Sequence, residues 1–503
     1  MPLRWILLFI FFMTSLSGQT LHFSYTSKPG RLNPLLATDS ASSAIAEWIF
    51  NGLMKYDENG TLVPDMAQSY HFLSPTRLVF TLRKGMTWSD GTPIDARDVV
   101  ATYQMALSPK LFTPYSEPFP FVKNVMIRNP YELEVIYKKP YFKALEMWTM
   151  SILPSHILSH ETDLMTSKFN TQPLGCGPYR LEKLDIAKDI VLTKNRTYFV
   201  KEPKIDQIVF HFTPDPATEF LMLKQGSLDM GTLNPIQYER QIDKGFKERY
   251  TIVEEASHSY TYLGFNLRLP KFKNPKVRQA LSLGINRQEI IDVILFGHGK
   301  PCTGPFLPGS FAFDPTVKIP TQDTIQAQAL LAQAGYNTNH PLSFEIVTSS
   351  SNPTRLLVAQ MIQYQLAKIG VKVTIRAMEW QAFLNTVIAP RHFETVLLGW
   401  SMGLMPDAYS IWHSDGDKKG GFNFVGYHNH HVDTLINRAE QTVDEKKLGA
   451  LYRTIFREIS QDNPYLFLFI PHTITAINKH IKGVKPSIVG ITHNLIDWEK
   501  KEP

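Results

Sequence analysis

The sequence predicts a mixed α/β protein of two or three domains, and three observations carry that expectation. The chain has 503 residues, more than one hydrophobic core usually serves. Residues 342–375 read as a β-α-β unit: a strand from Leu342 to Val347, a helix capped by Asn352 with Pro353 at its first position, and a strand alternating Val371, Val373 and Ile375. Val396, Leu397 and Leu398 are consecutive apolar residues, which suits a strand buried on both faces in the middle of such a sheet. The strand runs into Gly399-Trp400-Ser401-Met402-Gly403. A large aromatic between glycines at a strand end fits the ligand crevice of an open α/β sheet, although an ordinary loop has the same spacing.

Other elements follow in order. Leu21 to Tyr25 alternates as a strand, and Thr38-Asp39-Ser40 reads as a loop and N-cap ahead of a helix over Ala44 to Phe50. Leu78 to Leu82 is a strand turned by Lys84-Gly85, and Asp90-Gly91-Thr92-Pro93 is a second turn. Asp95 caps a helix whose expected buried stripe is Val99, Val100, Tyr103 and Leu107. Asn274-Pro275 opens a helix with Val277, Ala280, Leu281 and Ile285 inward. Within the β-α-β unit, Val358, Met361, Ile362, Leu366 and Ile369 share one face, and Gly370 stops the helix.

Composition narrows the function. Apolar residues make up 43% and charged residues 19%, the balance of an ordinary globular protein. The net charge of +6 comes from scattered Lys and Arg with no basic run, which gives nucleic-acid binding little support. Arg4, the apolar run Trp5 to Met13 and the small residues Ser15 and Ser17 predict an export leader over 1–17. That run is too short for a permanent span, and no Cys stands at the cleavage point for a lipid anchor. The expected location is therefore periplasmic, as an exported soluble protein. Cys176 and Cys302 are the two cysteines; an oxidising compartment permits a disulfide between them, and two buried thiols are the alternative.

Catalytic and metal motifs are missing or incomplete. No G-x-S-x-G elbow occurs, and Leu164 stands where His160-Glu161 would need its second zinc-binding His. Gly175-x-Gly177 and Gly297-x-Gly299 are broken dinucleotide fingerprints. His428, His430 and His431 are the nearest metal lookalike, but neighbouring His on a polar loop usually diverge. The reading is no enzyme, no catalytic residue, no metal and no cofactor; a secreted hydrolase is the alternative of another class.

The run F-T-L-R-K-G-M-T-W-S-D-G-T-P-I-D-A-R-D-V-V-A-T-Y, Phe80 to Tyr103, resembles the signature of family 5 extracytoplasmic solute-binding proteins, the peptide-binding components of ABC importers. Leu32-Asn33-Pro34, Asn51-Gly52-Leu53 and Leu62 to Ala67 fit the same family. So do Gly175 to Tyr179, Tyr262 to Gly284, Leu366 to Leu384 and the surroundings of Trp400. The likeness implies a two-lobed periplasmic binding protein fold with three subdomains and a ligand cleft between lobes. Its expected divisions are 18–51, 166–258 and 475–503 for the first lobe, 52–165 for an inserted small subdomain, and 259–474 for the second lobe. It also implies a monomer that takes a peptide or peptide-like ligand as an added strand and hands it to membrane permease subunits of an ABC transporter.

By matched position, the resemblance makes Trp400 the pocket tryptophan and Trp380 a second aromatic near the cleft, with Thr38, Asp39 and Ser40 lining it from the first lobe. Ser401, Met402, Gly403 and Asp407 complete the expected ligand loop. Two positions depart from the family pattern. Gly403 stands where many members place an Asp for the ligand amine, and Leu397 where some place an Arg near its carboxylate. Asp39 and Asp407 are the nearest substitute acids; otherwise the ligand's amine is solvated or absent, with Gly403 making room for a blocked or branched end. Other members carry metal chelates, sugars or cell-wall peptides.

Overall fold

The computed structural model describes residues 19–501 except 26, 112–118, 162 and 214, so the leader read at 1–17 lies outside the described residues. Alternation buries Leu21 and Phe23 on one face of Thr20–Tyr25, which pairs in parallel with Gln207–Phe212. Asp189–Lys194 and Tyr179–Asp185 complete this four-stranded sheet. Helix Ser40–Ile49 starts at Asp39, whose carboxylate accepts from the Ser42 amide. At its other end Gly177 N–H donates to the Ile49 carbonyl at 2.8 Å. A Cβ on Gly175 would fall 1.9 Å from that same oxygen, so only glycine lets the returning chain pass.

Between these pieces lies an antiparallel sheet of four strands, Ala67–Ser74, Arg77–Leu82, Glu132–Tyr137 and Val122–Asn129. Helix Ala96–Ala106 packs on it under an Asp95 capping box. Its buried stripe is Val99, Thr102, Tyr103 and Ala106. Val100 is half-buried and Leu107 exposed, because the helix ends one residue before Leu107 and its C-cap turns outward.

The β-α-β unit is present: Ser343–Ser349 and Lys372–Met378 pair in parallel across helix Pro353–Ala367. Thr395–Ser401 lies between Ser343–Ser349 and the antiparallel strand Ser259–Phe265. Its Val396 and Leu398 enter one apolar core and Leu397 another, so the strand is covered on both faces. The strand extends through Trp400 to Ser401 rather than breaking at Gly399, because Tyr260 and Ser259 continue the ladder opposite.

One strand, Tyr465–Asn478, serves both halves of the molecule. Its first half pairs with Ser259–Phe265, and its second half with Met230–Leu233 and Tyr250–Ala256. The chain therefore crosses twice, at 257–258 and at 471–472. The cores on the two sides are separate, with residues 260–470 supplying two clusters and residues 21–210, joined by four residues between 477 and 498, supplying the largest. Among the described residues no helix is long and apolar enough to cross a membrane.

The cysteines do not pair. Both are free and buried, Cys176 in the core of the first lobe beside Met66 and Cys302 in a core of the second, where its thiol donates to the Gly304 carbonyl at 3.3 Å. The structure thus takes the alternative of two small hydrophobes, because the residues belong to cores on opposite sides of the crossing.

Candidate functional site: the cleft between the lobes

The end of Thr395–Ser401 carries an aromatic column. Tyr465 stacks on Tyr262 at 3.9 Å, Tyr262 on Trp400 at 6.4 Å, and Phe422 meets the Trp400 face edge-on at 5.1 Å. Trp400 Nε1 donates to the Tyr465 hydroxyl at 3.3 Å, which fixes the indole while leaving it half-buried. Trp380, Trp400 and Met402 are all partly buried against one core cluster, so the two tryptophans border the same apolar mass. Ser401 and Gly403 are exposed. A Cβ on Gly403 would have a single neighbour, the Met405 carbonyl at 3.8 Å, so the loop leaves space where a side chain is expected.

From the first lobe, Thr38 and Ser40 are exposed while Asp39 is buried between them. The Asp39 carboxylate is engaged by Ser42 N–H and Oγ, and Gly30 N–H points at it from 3.3 Å. Gln381, next to Trp380, donates across the cleft to the Lys28 carbonyl at 3.4 Å.

Asp407 is engaged too. Lys143 of the inserted sheet region stands 2.9 Å from its carboxylate, and Ser410 and the Tyr409 amide donate to it. Lys143 is 5% exposed and Asp407 33%, so the cation is shut away and part of the carboxylate is open. Burial pushes the Asp407 carboxyl up, but Lys143 and Ser410 outweigh it and hold it below the usual range. Burial likewise pulls Lys143 down, and Asp407, Glu146 and Glu440 together raise it above its ordinary value. Glu146 is raised by burial. Around this cluster Phe142 N–H donates to the Glu440 carbonyl at 3.2 Å, and Phe142 meets the Tyr452 ring at 5.9 Å. The cluster docks the inserted subdomain on the second lobe.

Arg355 was not singled out by sequence reasoning. It occupies the first turn of helix Pro353–Ala367, and its guanidinium lies 3.2 Å from where a Gly399 Cβ would stand. The side chain is half-buried by its outer surface, yet desolvation around the guanidinium pulls its pKa down to about 10, against a smaller opposing effect of Tyr262. It remains a cation at neutral pH. Among the described residues its guanidinium has no hydrogen-bond or ion-pair partner. A cation in a helix's first turn opposes the helix dipole, and that was the available sequence signal.

The remaining sequence candidates do not converge. His428 contacts Asp417 at 3.0 Å, and His430 and His431 open helix His430–Glu440. A surface groove of about 720 Å³ on the inserted subdomain, lined by Arg97, Gln104 and His156 among others, contains none of the cleft residues.

Known proteins share this fold. The family model of bacterial extracellular solute-binding proteins, family 5 Middle, matches residues 61–422. The oligopeptide-binding protein AppA of Bacillus subtilis is 29% identical over 493 residues, 94% of this chain and 90% of the relative. A probable deoxycholate-binding periplasmic protein of Escherichia coli, YgiS, is 27% identical over 92% of this chain and 90% of its own. The solved structure of Bacillus subtilis AppA with a nonapeptide superposes with a TM-score of 0.91 at 29% identity, covering 96% of this chain and 100% of that one. NikZ of Campylobacter jejuni with Ni(L-His) gives 0.87 at 27% identity over 96% and 99%.

Proposed function

The chain belongs to the family 5 bacterial extracellular solute-binding proteins, and we propose that it captures a carboxylate-bearing peptide between its lobes and delivers it to an ABC import permease. The observation that carries this reading is the partnerless Arg355 guanidinium beside Gly399, the residue before Trp400. A desolvated cation without a counter-ion is costly, and a ligand carboxylate would relieve it through a charge-assisted, bidentate contact. Arg355 thereby takes the part that Leu397, wholly buried in the core, does not. Trp400 and Trp380 supply apolar contact, and the exposed Thr38, Ser40 and Ser401 offer polar groups to the ligand main chain.

The amine end is treated differently. Asp39 serves as a helix cap and Asp407 pairs with Lys143, so neither acid is left for an α-amine. The ligand's amino end therefore extends into the space over Gly403, solvated or blocked. In this reading the protein retains its ligand unchanged and acts as a monomer outside the cytoplasm.

Calorimetry with a bound peptide, its C-terminal amide and its N-acetyl form tests the reading. Amidation should weaken binding more than tenfold, about 1.4 kcal/mol, and acetylation much less. Arg355→Gln should abolish the difference between acid and amide. Strong loss on acetylation with none on amidation would reverse the assignment of the two ends. Steady hydrolysis of the peptide surviving repurification would refute the transport role.

A further inference from the structure

Away from the cleft, four side chains from four separated segments meet where the chain crosses between lobes. Glu254 lies on Tyr250–Ala256 and His472 on Tyr465–Asn478, in strands paired so that Ala256 faces His472. His298 sits in the turn after helix Arg287–Ile294, and its carbonyl accepts from the His472 amide at 3.1 Å. Glu239 comes from helix Pro235–Arg240. One oxygen of Glu254 is 2.8 Å from His298 Nδ1 and 2.6 Å from His472 Nδ1, and a Glu239 oxygen is 2.9 Å from His298 Nε2.

We propose that Glu254, His298 and His472 form a site for a divalent transition-metal ion of the zinc class, with Glu239 orienting His298 from behind. Two imidazoles and one carboxylate are the donor set such borderline ions favour, and three protein ligands leave a position for water. The donor atoms of these three residues lie within 4.8 Å of one another, the one such group among the described residues. Glu239 supplies the second argument. By accepting from His298 Nε2 it would hold the tautomer that frees Nδ1 for an ion in place of the proton Nδ1 donates to Glu254, the carboxylate–imidazole–metal relay. The third is His472, whose Nε2 is buried without a hydrogen-bond partner, so the ring is not held there by a network that uses both nitrogens. His298 is 13% exposed and His472 20%, which shields an ion while leaving an entry path.

The position gives the site a consequence. Glu254 and His472 belong to the two crossing strands, and His298 to the second lobe. An ion bound by all three would fasten that turn to the crossing and bias the angle between lobes. The peptide plays no part in the proposal, so its failure and that of the cleft reading are separable.

The full mature chain, stripped with EDTA, is titrated with Zn²⁺ by calorimetry and with Co²⁺ by visible absorption. We expect saturation at one ion per chain and the intense visible bands of four- or five-coordinate cobalt. Glu254→Gln and His298→Gln should each weaken binding at least a hundredfold. Glu239→Gln should weaken it by about tenfold or more, and His431→Gln not at all. Thermal unfolding in EDTA identifies any variant that fails to fold, and the unmodified chain's cobalt spectrum decides independently of the variants. No saturation at millimolar metal, a hydrated-cobalt spectrum only, or binding that survives both Glu254→Gln and His298→Gln would overturn the site.

Discussion

Replacing Lys143 by Met removes the cation from a contact that holds the carboxylates of Asp407, Glu146 and Glu440 around it. Methionine fills much of the volume, so the loss is electrostatic rather than a cavity. Removing one partner of a buried pair typically costs 3–5 kcal/mol because the other charge is stranded. Asp407 keeps a third of its side-chain surface open and retains Ser410 and the Tyr409 amide, so the lower end applies, about 3 kcal/mol. Because the pair joins the inserted subdomain to the second lobe, that cost falls on their docking. At about 1.4 kcal/mol per decade, the peptide dissociation constant should rise on the order of 100-fold. Calorimetry at neutral pH measures this, with ligand-free thermal unfolding recorded alongside. Asp407→Asn should do less, since the amide still caps the Tyr409 turn. Arg97→Ala, which breaks an exposed pair with Asp95, should leave both quantities unchanged. Unaltered affinity and unaltered melting in Lys143→Met would refute the reasoning.

Three further outcomes follow from the geometry. Burial raises the Glu219 carboxyl to about 7, so between its ordinary value and pH 7 the folded chain holds a proton that the unfolded chain has released. Stability should therefore fall as pH rises through that window, by about 3 kcal/mol in all; Glu219→Gln should flatten the fall in denaturant titrations, and an unchanged slope would contradict it. Gly175→Ala drives a methyl into the Ile49 carbonyl and should cost about 3 kcal/mol or prevent folding, whereas Gly309→Ala meets open space and costs only its positive φ. Burial pushes the Cys302 thiol up to about 12 and raises Cys176 as well, so neither should react with a thiol reagent at pH 8 in the native chain, and denatured, unreduced protein should titrate as two thiols.

Signals confined to neighbouring residues were legible before the structure. Asp39, Asp95, Asn274 and Asn352 cap the helices they were read to cap, and Gly370 ends its helix with a left-handed backbone. The three apolar residues before Trp400 divide between two cores as a doubly buried strand must. What escaped were partnerships between distant segments. Lys143 and Asp407 are 264 positions apart, and no periodicity links them. Glu239, Glu254, His298 and His472 span most of the second half of the chain and meet only because two strands cross side by side. An even cysteine count likewise says nothing about distance. Arg355 needed tertiary context, since the same residue on an outward turn would be solvated.

The shared strand Tyr465–Asn478 also sets when the molecule can finish folding. It lies between Met230–Leu233 and Ser259–Phe265 in the sheet order, so the eight-stranded sheet lacks its central ladder until residue 478 has left the ribosome. Until then Tyr260, Tyr262 and Leu263 have no Tyr465, Leu466 or Phe467 to pack against, and Leu233 and Tyr250 lack Ile474. Synthesis thus runs through more than nine-tenths of the sequence before this sheet can close, although both four-stranded sheets have all their strands by residue 212. A translocation channel that accepts only extended polypeptide would meet a nascent chain whose largest sheet is still open. The strand that later joins the two lobes first acts as a timer.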